Sequence, residues 1–365
     1  MRVLVVNAGS SSLKLSLLDP AGTVERSAEL AVDASGIPVA GLTEAIAGWP
    51  GPDAVGHRIV HGGNLFSGAV RITDRVREQL AGLTELAPLH QPASLAALAA
   101  VSEQLPEVVA VACFDTAFHT SIPAAAATYA IPREWRERYG IRRYGFHGLS
   151  HAYCARRAAE LLDRTPAGLR IVSCHLGAGA SLCAVRDGRS LDTTMGFTPL
   201  EGLVMATRSG SVDPGLLLWL EEHEQLAPHE VAVALEQRSG LLALAGTADM
   251  REIEAADARG EPAARLAIEV YLHRLVAGIA SMCAALGGLD VLAFTGGVGQ
   301  NSVGVRQRAA AALGFLGVVL DEAGNAAARP DCAVTAAGAA VHTLVIAARE
   351  DLQIARETRR LLTAG

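Results

Sequence analysis

Five short stretches of this chain gather side chains that bind or neutralise oxyanions. The first is Asn7-Ala8-Gly9-Ser10-Ser11-Ser12-Leu13-Lys14, which puts an amide, three hydroxyls and an ammonium around one turn. Such groups suit phosphate oxygens, although an ordinary Ser-rich hairpin has the same composition. Lys14 adds information because it is the single lysine: 30 of the 31 basic residues are arginine. Arginine and lysine are not interchangeable as phosphate ligands. In the second stretch, His57-Arg58-Ile59-Val60-His61-Gly62-Gly63, a guanidinium stands between two imidazoles. Arginine is the natural bidentate partner of carboxylate or phosphate. Third, Asp115 and His119 follow an apolar run at 108–114. Fourth, Arg143-Tyr144-Gly145-Phe146-His147-Gly148-Leu149-Ser150-His151 packs two histidines, an arginine and two glycines into nine residues, a density that core packing does not explain. Fifth, Thr207-Arg208-Ser209-Gly210 offers another guanidinium in a polar loop. His90, in the Pro-bounded loop 87–92, is a weaker candidate, since a lone histidine is more often structural.

The elements that must hold these groups are legible in outline. Residues 3–6 form a short β-branched run, 7–12 carry turn chemistry, and 13–18 and 24–30 alternate like strands. The run at 108–114 is continuous, as for a strand covered on both faces. Helical patterns occupy 74–86 and 92–104, and the apolar spacing predicts a closing helix over 341–362. The second half repeats the opening. Residues 170–174 and 181–185 flank the turn His175-Leu176-Gly177-Ala178-Gly179-Ala180, and Asp187-Gly188 closes a hairpin to 190–192. Placing Gly9 on Gly177 superimposes the two patterns, which suggests duplicated α/β domains with a cleft between them. A third strand, 291–294, runs into Thr295-Gly296-Gly297-Val298-Gly299. Gly turns at strand ends let backbone N–H groups approach phosphate. Neither GxxxxGK[ST] nor GxGxxG after the first strand is present.

Composition narrows the class. The 365 residues suggest two domains, and 50% hydrophobic against 19% charged residues provides for sizeable cores. A net charge of −7 argues against a nucleic-acid groove. The most apolar segment, 275–289, is shorter than the ~20 residues a membrane span needs, and it reads as a buried helix. Only four apolar residues separate Arg2 from Asn7, so no signal peptide is expected. The six cysteines form no CxxC pair and read as reduced thiols. A cytoplasmic protein without membrane or nucleic-acid partners is expected.

Taken in order, these stretches resemble the signature of the acetate and propionate kinases, from residue 2 to about residue 358. Matching blocks are Asn7 to Lys14, His57 to Gly63, Leu89-His90, Phe114 to His119, Tyr144 to His151, His175 to Ser181, Met195 to Pro214 and Phe294 to Ser302. The resemblance implies α/β architecture: two duplicated actin-like (ribonuclease H-like) domains with an interdomain active-site cleft. It places the first domain at 1–119, joined by a C-terminal helix at 352–365, and a nucleotide-binding domain at 120–351. It implies reversible, Mg²⁺-dependent (Mn²⁺ as an alternative) phosphoryl transfer between ATP/ADP and acetate/acetyl phosphate, in a homodimer. Arg58, Asp115, His147, Arg208 and His90 match the catalytic positions. Arg58, Val60, Leu89, Phe146 and Pro199 match the acyl pocket. Ser10, Ser12, Lys14, His175, Gly177, Gly179, Asp249, Met250, Arg251, Gly296, Gly297 and Asn301 match the nucleotide site. Asn7 and Glu350 match the metal site, with Asp351 as an alternative for the latter. The chain departs from the pattern at Ala178 (usually Asn), Ala206 (Gly), Ser211 (Asp) and Gln300 (Glu), all expected on the phosphoryl-donor side. A non-catalytic paralogue, propionate kinase and a sugar kinase are the competing readings.

Overall fold

The computed structural model describes residues 1–9, 12–31, 39–86 and 91–364. Ser10, Leu89 and His90 lie outside the described residues. The chain clusters into two units. Unit 1 comprises Met1–Thr120, Phe146–Tyr153 and Arg349–Gly365; unit 2 comprises Ser121–Gly145 and Cys154–Ala348.

Unit 1 is built on six strands: β1 (Val3–Ala8), β2 (Ser12–Leu18), β3 (Val24–Ala31), β4 (Ala54–Ile59), β5 (Val70–Arg71) and β6 (Val109–Phe114). Their order is β3-β2-β1-β4-β6-β5. The helices that matter here are α1 (Asp74–Gly82), α2 (Gln91–Gln104), α3 (Gly148–Leu161, of which Gly148–Tyr153 belong to this unit), and, in chain order after those of unit 2, α7 (Glu350–Thr363). Alternation along β1 sends Leu4 and Val6 toward Ala97 and Val101 of α2, and Val3 and Val5 toward Ile354 and Ala355 of α7. Both faces of β1 are therefore covered, and in β6 Val111 and Cys113 likewise pack with Ile354 while Ala112 and Phe114 pack with Leu98, which explains the continuous apolar run at 108–114. At Gly56 a Cβ would stand 2.5 Å from Thr358 Oγ1 and 2.7 Å from Ile354 Cγ2. The glycine thus permits α7 to lie directly on β4.

Unit 2 repeats this plan strand for strand. Its strands are β7 (Arg170–Leu176), β8 (Ala180–Arg186), β9 (Arg189–Thr193), β10 (Val291–Thr295), β11 (Cys332–Ala333) and β12 (His342–Val345). The order β9-β8-β7-β10-β12-β11 is that of unit 1. In each sheet an antiparallel meander of three strands precedes two parallel strands and a short antiparallel edge. The duplication suspected from the turns is therefore present in topology. Unit 2 also carries α4 (Met250–Ala258), α5 (Pro262–Leu286) and α6 (Gly296–Asn301). At 25 residues, α5 is long and apolar enough to cross a membrane by length and composition. Its buried residues Ala264, Ile268, Tyr271, Leu275, Ile279, Met282 and Leu286 recur at helical spacing, so one face packs into this unit. The expected helix over 341–362 is corrected. His342–Val345 forms β12, parallel to β10, and the helix begins at Glu350. Local spacing does not reveal a strand whose partner lies about 50 residues away.

Candidate active site

In unit 1 the functional side chains collect at the carboxyl ends of the parallel strands, where open α/β sheets bind ligands. Arg58, at the end of β4, donates to Asp115, just past β6. Its Nη2 lies 2.6 Å from Oδ2, and its Nε is 3.2 and 3.1 Å from the two carboxylate oxygens. The same guanidinium gives Nη1 to Asn7 Oδ1 at 3.1 Å, and Asn7 Nδ2 donates to Glu350 Oε2 at 2.9 Å. One network therefore links the ends of β1, β4 and β6 to the start of α7. Burial works against the charged form of Arg58, but Asp115 and Glu350 outweigh it, and the guanidinium is held more firmly protonated than usual. Burial pushes the Asp115 carboxyl above its ordinary value, Arg58 and the His147 N–H pull it down, and Glu350 adds repulsion.

His147 has φ 56°, in the left-handed region. Its N–H serves the Asp115 side chain, and Gly148 N donates to Asp115 O at 2.9 Å. Strain at a non-glycine residue persists only where surrounding bonds enforce it. Phe146 is buried, with its carbonyl 3.0 Å from His119 Nε2 and its ring edge-on to His61 at 5.4 Å. The Gly pair after Val60 is also accounted for: Gly62 N donates to Thr116 Oγ1 at 3.0 Å, tying this loop to the end of β6. Lys14 is the cross-strand partner of Asn7, mostly exposed and 3.8 Å from Glu29, a surface pairing that contributes little. The turn after β1 closes through Gly9 N to the Ser12 carbonyl at 2.8 Å.

Asn7, Asp115 and Glu350 also bear on a divalent ion. Among the described residues no group of three His, Cys, Asp or Glu side chains converges as a metal cage. Two carboxylates and an amide oxygen suit Mg²⁺, which keeps several waters and takes other ligands from phosphate. The mutual repulsion between Asp115 and Glu350 is relieved by added positive charge. The residues present fit the ion.

Unit 2 holds a cavity of about 770 Å³. Of the expected nucleotide residues, Gly177, Asp249, Met250, Arg251, Gly297 and Asn301 line it. His175, Gly179 and Gly296 do not, but they lie within a few residues of Gly177 and Gly297, which do. His175 is the penultimate residue of β7, opposite Ser181 and Thr295, and Gly179 O accepts from Gly177 N at 3.0 Å. Gly296 has φ 79°, and a Cβ there would meet Leu176 O at 2.6 Å. At Gly297 a Cβ would meet nothing within 4 Å, so its open side faces the cavity. Asp249 caps α4 and holds Arg251 at 2.5 Å. The buried Arg306 secures the end of α6 by donating to the Gly299 and Gln300 carbonyls at 3.0 and 2.7 Å. Sequence reasoning missed Arg306, and it missed Glu254 and Tyr271 in the cavity wall. Glu254 lies one turn after Met250 and was findable by its spacing; Tyr271 looks like any core residue of α5.

Arg208 and Pro199 also lie in unit 2, with Arg208 Nη1 donating to Pro199 O at 3.1 Å. Burial lowers the guanidinium's pKa, opposed by Glu236. The loop is clamped by backbone bonds such as Ser209 N to Leu235 O at 2.9 Å. Ala178 and Ala206 both line the cavity, joined by Ala206 N to Ala178 O at 3.0 Å. Ser211 does not line it: its Oγ accepts from Gly202 N at 3.0 Å and the residue faces solvent.

Comparison with known proteins decides the family. The acetokinase family profile matches residues 51–356. The acetate kinase of Microcystis aeruginosa is 46% identical over 98% of both chains. The chain belongs to the acetokinase family. Its chemistry is phosphoryl transfer with a carboxyl group as acceptor. Among solved structures, Porphyromonas gingivalis acetate kinase superimposes with a TM-score of 0.90 at 36% identity, covering 99% of both chains. A propionate kinase from Francisella tularensis gives the same score at 35% identity, covering 98% of both chains. A ROK family protein from Streptococcus pneumoniae, at 13% identity and TM-score 0.50 over both full chains, shares the fold alone. This acetokinase therefore has the two-domain actin-like fold that the family resemblance implied.

Proposed function

We propose that the protein transfers the γ-phosphoryl group of ATP to acetate, reversibly, giving acetyl phosphate and ADP. The observation that carries this reading is Arg58, mostly buried, charged and held in place by Asn7 and Asp115 at the strand ends. Two anions must meet in the reaction, and catalysis of phosphoryl transfer is mainly positioning and charge neutralisation. Arg58 orients the carboxylate. Arg208, half-buried in its loop, neutralises the phosphoryl group. His147 donates to its equatorial oxygens from a backbone fixed by Asp115. A carboxylate nucleophile is already ionised at neutral pH, so Asp115 need not be a base; it holds Arg58 and His147. Mg²⁺, or Mn²⁺, would be held by Asn7 and Glu350 beside Asp115, and it supplies charge neutralisation to the phosphates. Val60 and Phe146, both buried and apolar, suit a methyl group. Gly177, Asp249, Met250, Arg251, Gly297 and Asn301 receive the nucleotide in the unit 2 cavity. The proposal extends to a homodimer in the cytoplasm, the former checked by light scattering.

A hydroxamate assay for acetyl phosphate tests the reading, run with ATP, GTP and pyrophosphate as donors. Product with ATP, and less with GTP or pyrophosphate, is expected. Absence of product with every donor would overturn it in favour of a non-catalytic paralogue. Propionate is the second acceptor, favoured by the equal structural match to a propionate kinase. One methylene changes discrimination by only ~1–3 kcal/mol.

A further inference from the structure

Arg58 and His57 leave β4 on opposite faces. Arg58 meets Asp115, whereas His57, two residues beyond Val55, faces the α2 side. There it lines a cavity of about 470 Å³ inside unit 1, bounded by β4, the start of β6, the β5 edge, α1 and the end of α2. The ring is 1% exposed, and neither nitrogen has a hydrogen-bond partner among the described residues. A buried polar group left unpaired costs ~1–3 kcal/mol. Arg71 of β5 and Arg77 of α1 line the same cavity. Neither guanidinium has a carboxylate partner among the described residues, and Arg77 Nη2 donates to Ser102 Oγ at 2.9 Å. Glu107 is the single acid in the wall.

Burial, with Arg77 adding to it, holds the His57 imidazole down to about 3. The ring is therefore neutral at pH 7, with one N–H and one lone pair to offer. We propose that this cavity is a binding site for inorganic phosphate, gripped by Arg71, Arg77 and Ser102 and read by His57. Guanidinium forks match phosphate oxygens. Hydrogen phosphate both accepts and donates hydrogen bonds, so it can pair with one nitrogen of a neutral imidazole in either tautomer. Sulfate and ionised carboxylates can only accept. A phosphate monoester, with its second pKa at about 6, has lost most of its donor proton at pH 7, which favours the free anion. None of the lining residues belongs to the Arg58 network or to the unit 2 cavity, so the site stands apart from the proposed transfer chemistry.

Isothermal titration of phosphate and of sulfate at pH 7, into wild type, Arg77→Gln and Arg208→Gln, tests this directly. Arg208→Gln weakens phosphate held by the transfer machinery, so binding that survives there and is lost in Arg77→Gln belongs to the β4 cavity. Expected are retention within about two-fold in Arg208→Gln, weakening of at least about ten-fold in Arg77→Gln, and sulfate at least about ten-fold weaker than phosphate. If Arg77→Gln does not fold by circular dichroism, Arg71→Gln on the exposed edge strand replaces it with the same expectation. No heat at millimolar phosphate, loss of binding only in Arg208→Gln, or equal affinity for sulfate would each overturn the site.

Discussion

At the scale of single residues, the two arginines carry the clearest consequence. Arg58→Ala removes the guanidinium that joins Asn7 to Asp115 and leaves a buried carboxylate without its partner. Arg208→Ala removes a half-buried positive charge. Each is expected to lower kcat by about 10²-fold or more, the scale of losing one transition-state donor. Steady-state rates near wild type in either variant would contradict the roles given to them. The departures at the nucleotide side now separate. Ala178 lines the unit 2 cavity, whereas Ser211 serves its own loop. Ala178→Asn alone is expected to lower KM for ATP–Mg²⁺ several-fold without moving KM for acetate, and Ser211→Asp to change neither by more than about two-fold. If the buried Val60 and Phe146 border the acyl group as proposed, acetate and propionate are expected as substrates and hexanoate is not. Comparable kcat/KM for hexanoate and acetate would show that their role has been misread.

At the scale of elements, α3 begins where it must for the site to form. A Cβ on Gly148 would collide with the Asp115 carbonyl and stand 2.9 Å from Phe118 Cβ. Gly148→Ala therefore pushes the start of α3, and with it His147, away from Asp115. The expected result is a fall in kcat of about ten-fold or more with KM for ATP little changed, because the nucleotide residues lie on other elements. Retention of full kcat would mean that the left-handed turn at His147 is not required. The packing of α7 on β4 is a separate matter. Gly56→Val overpacks Ile354 and Thr358, and a loss of roughly 1–3 kcal/mol in urea unfolding is expected.

For the whole molecule, three buried histidines set the response to acid. Burial lowers His57 to about 3, and His61 and His119 to about 4, the latter partly offset by the Phe146 carbonyl. In the unfolded chain each titrates near 6.5. Between about 4 and 6.5 the unfolded state binds more protons than the folded one, so stability rises with pH across that window. It is fully present above about 6.5 and is lost as pH falls toward 4. Urea midpoints at pH 7, 6 and 5 should decline progressively, and His61→Gln should flatten the decline. A pH-independent midpoint would mean that these rings are not held neutral.

Much of the molecule was legible in one dimension. The turn chemistry at Asn7 and at Gly177, the apolar runs beside it and the order of the arginine and histidine blocks fixed the family and the repeated α/β plan. All of these are local, and turn propensity and strand alternation act over a few residues. What lies between distant residues was not legible. Arg58 finds Asp115 57 positions away, and Asn7 finds Glu350 across 343. The strand at His342–Val345 exists because β10 offers it a parallel edge. Tyr271 reads as core until the cavity beside it is seen. His57 and Arg58 are neighbours in the chain, but the pleat of β4 sends one to the Asp115 network and the other to a separate cavity. Sequence supplied the chemical groups and their order. Long-range strand pairing, which no local pattern encodes, decided which of them meet.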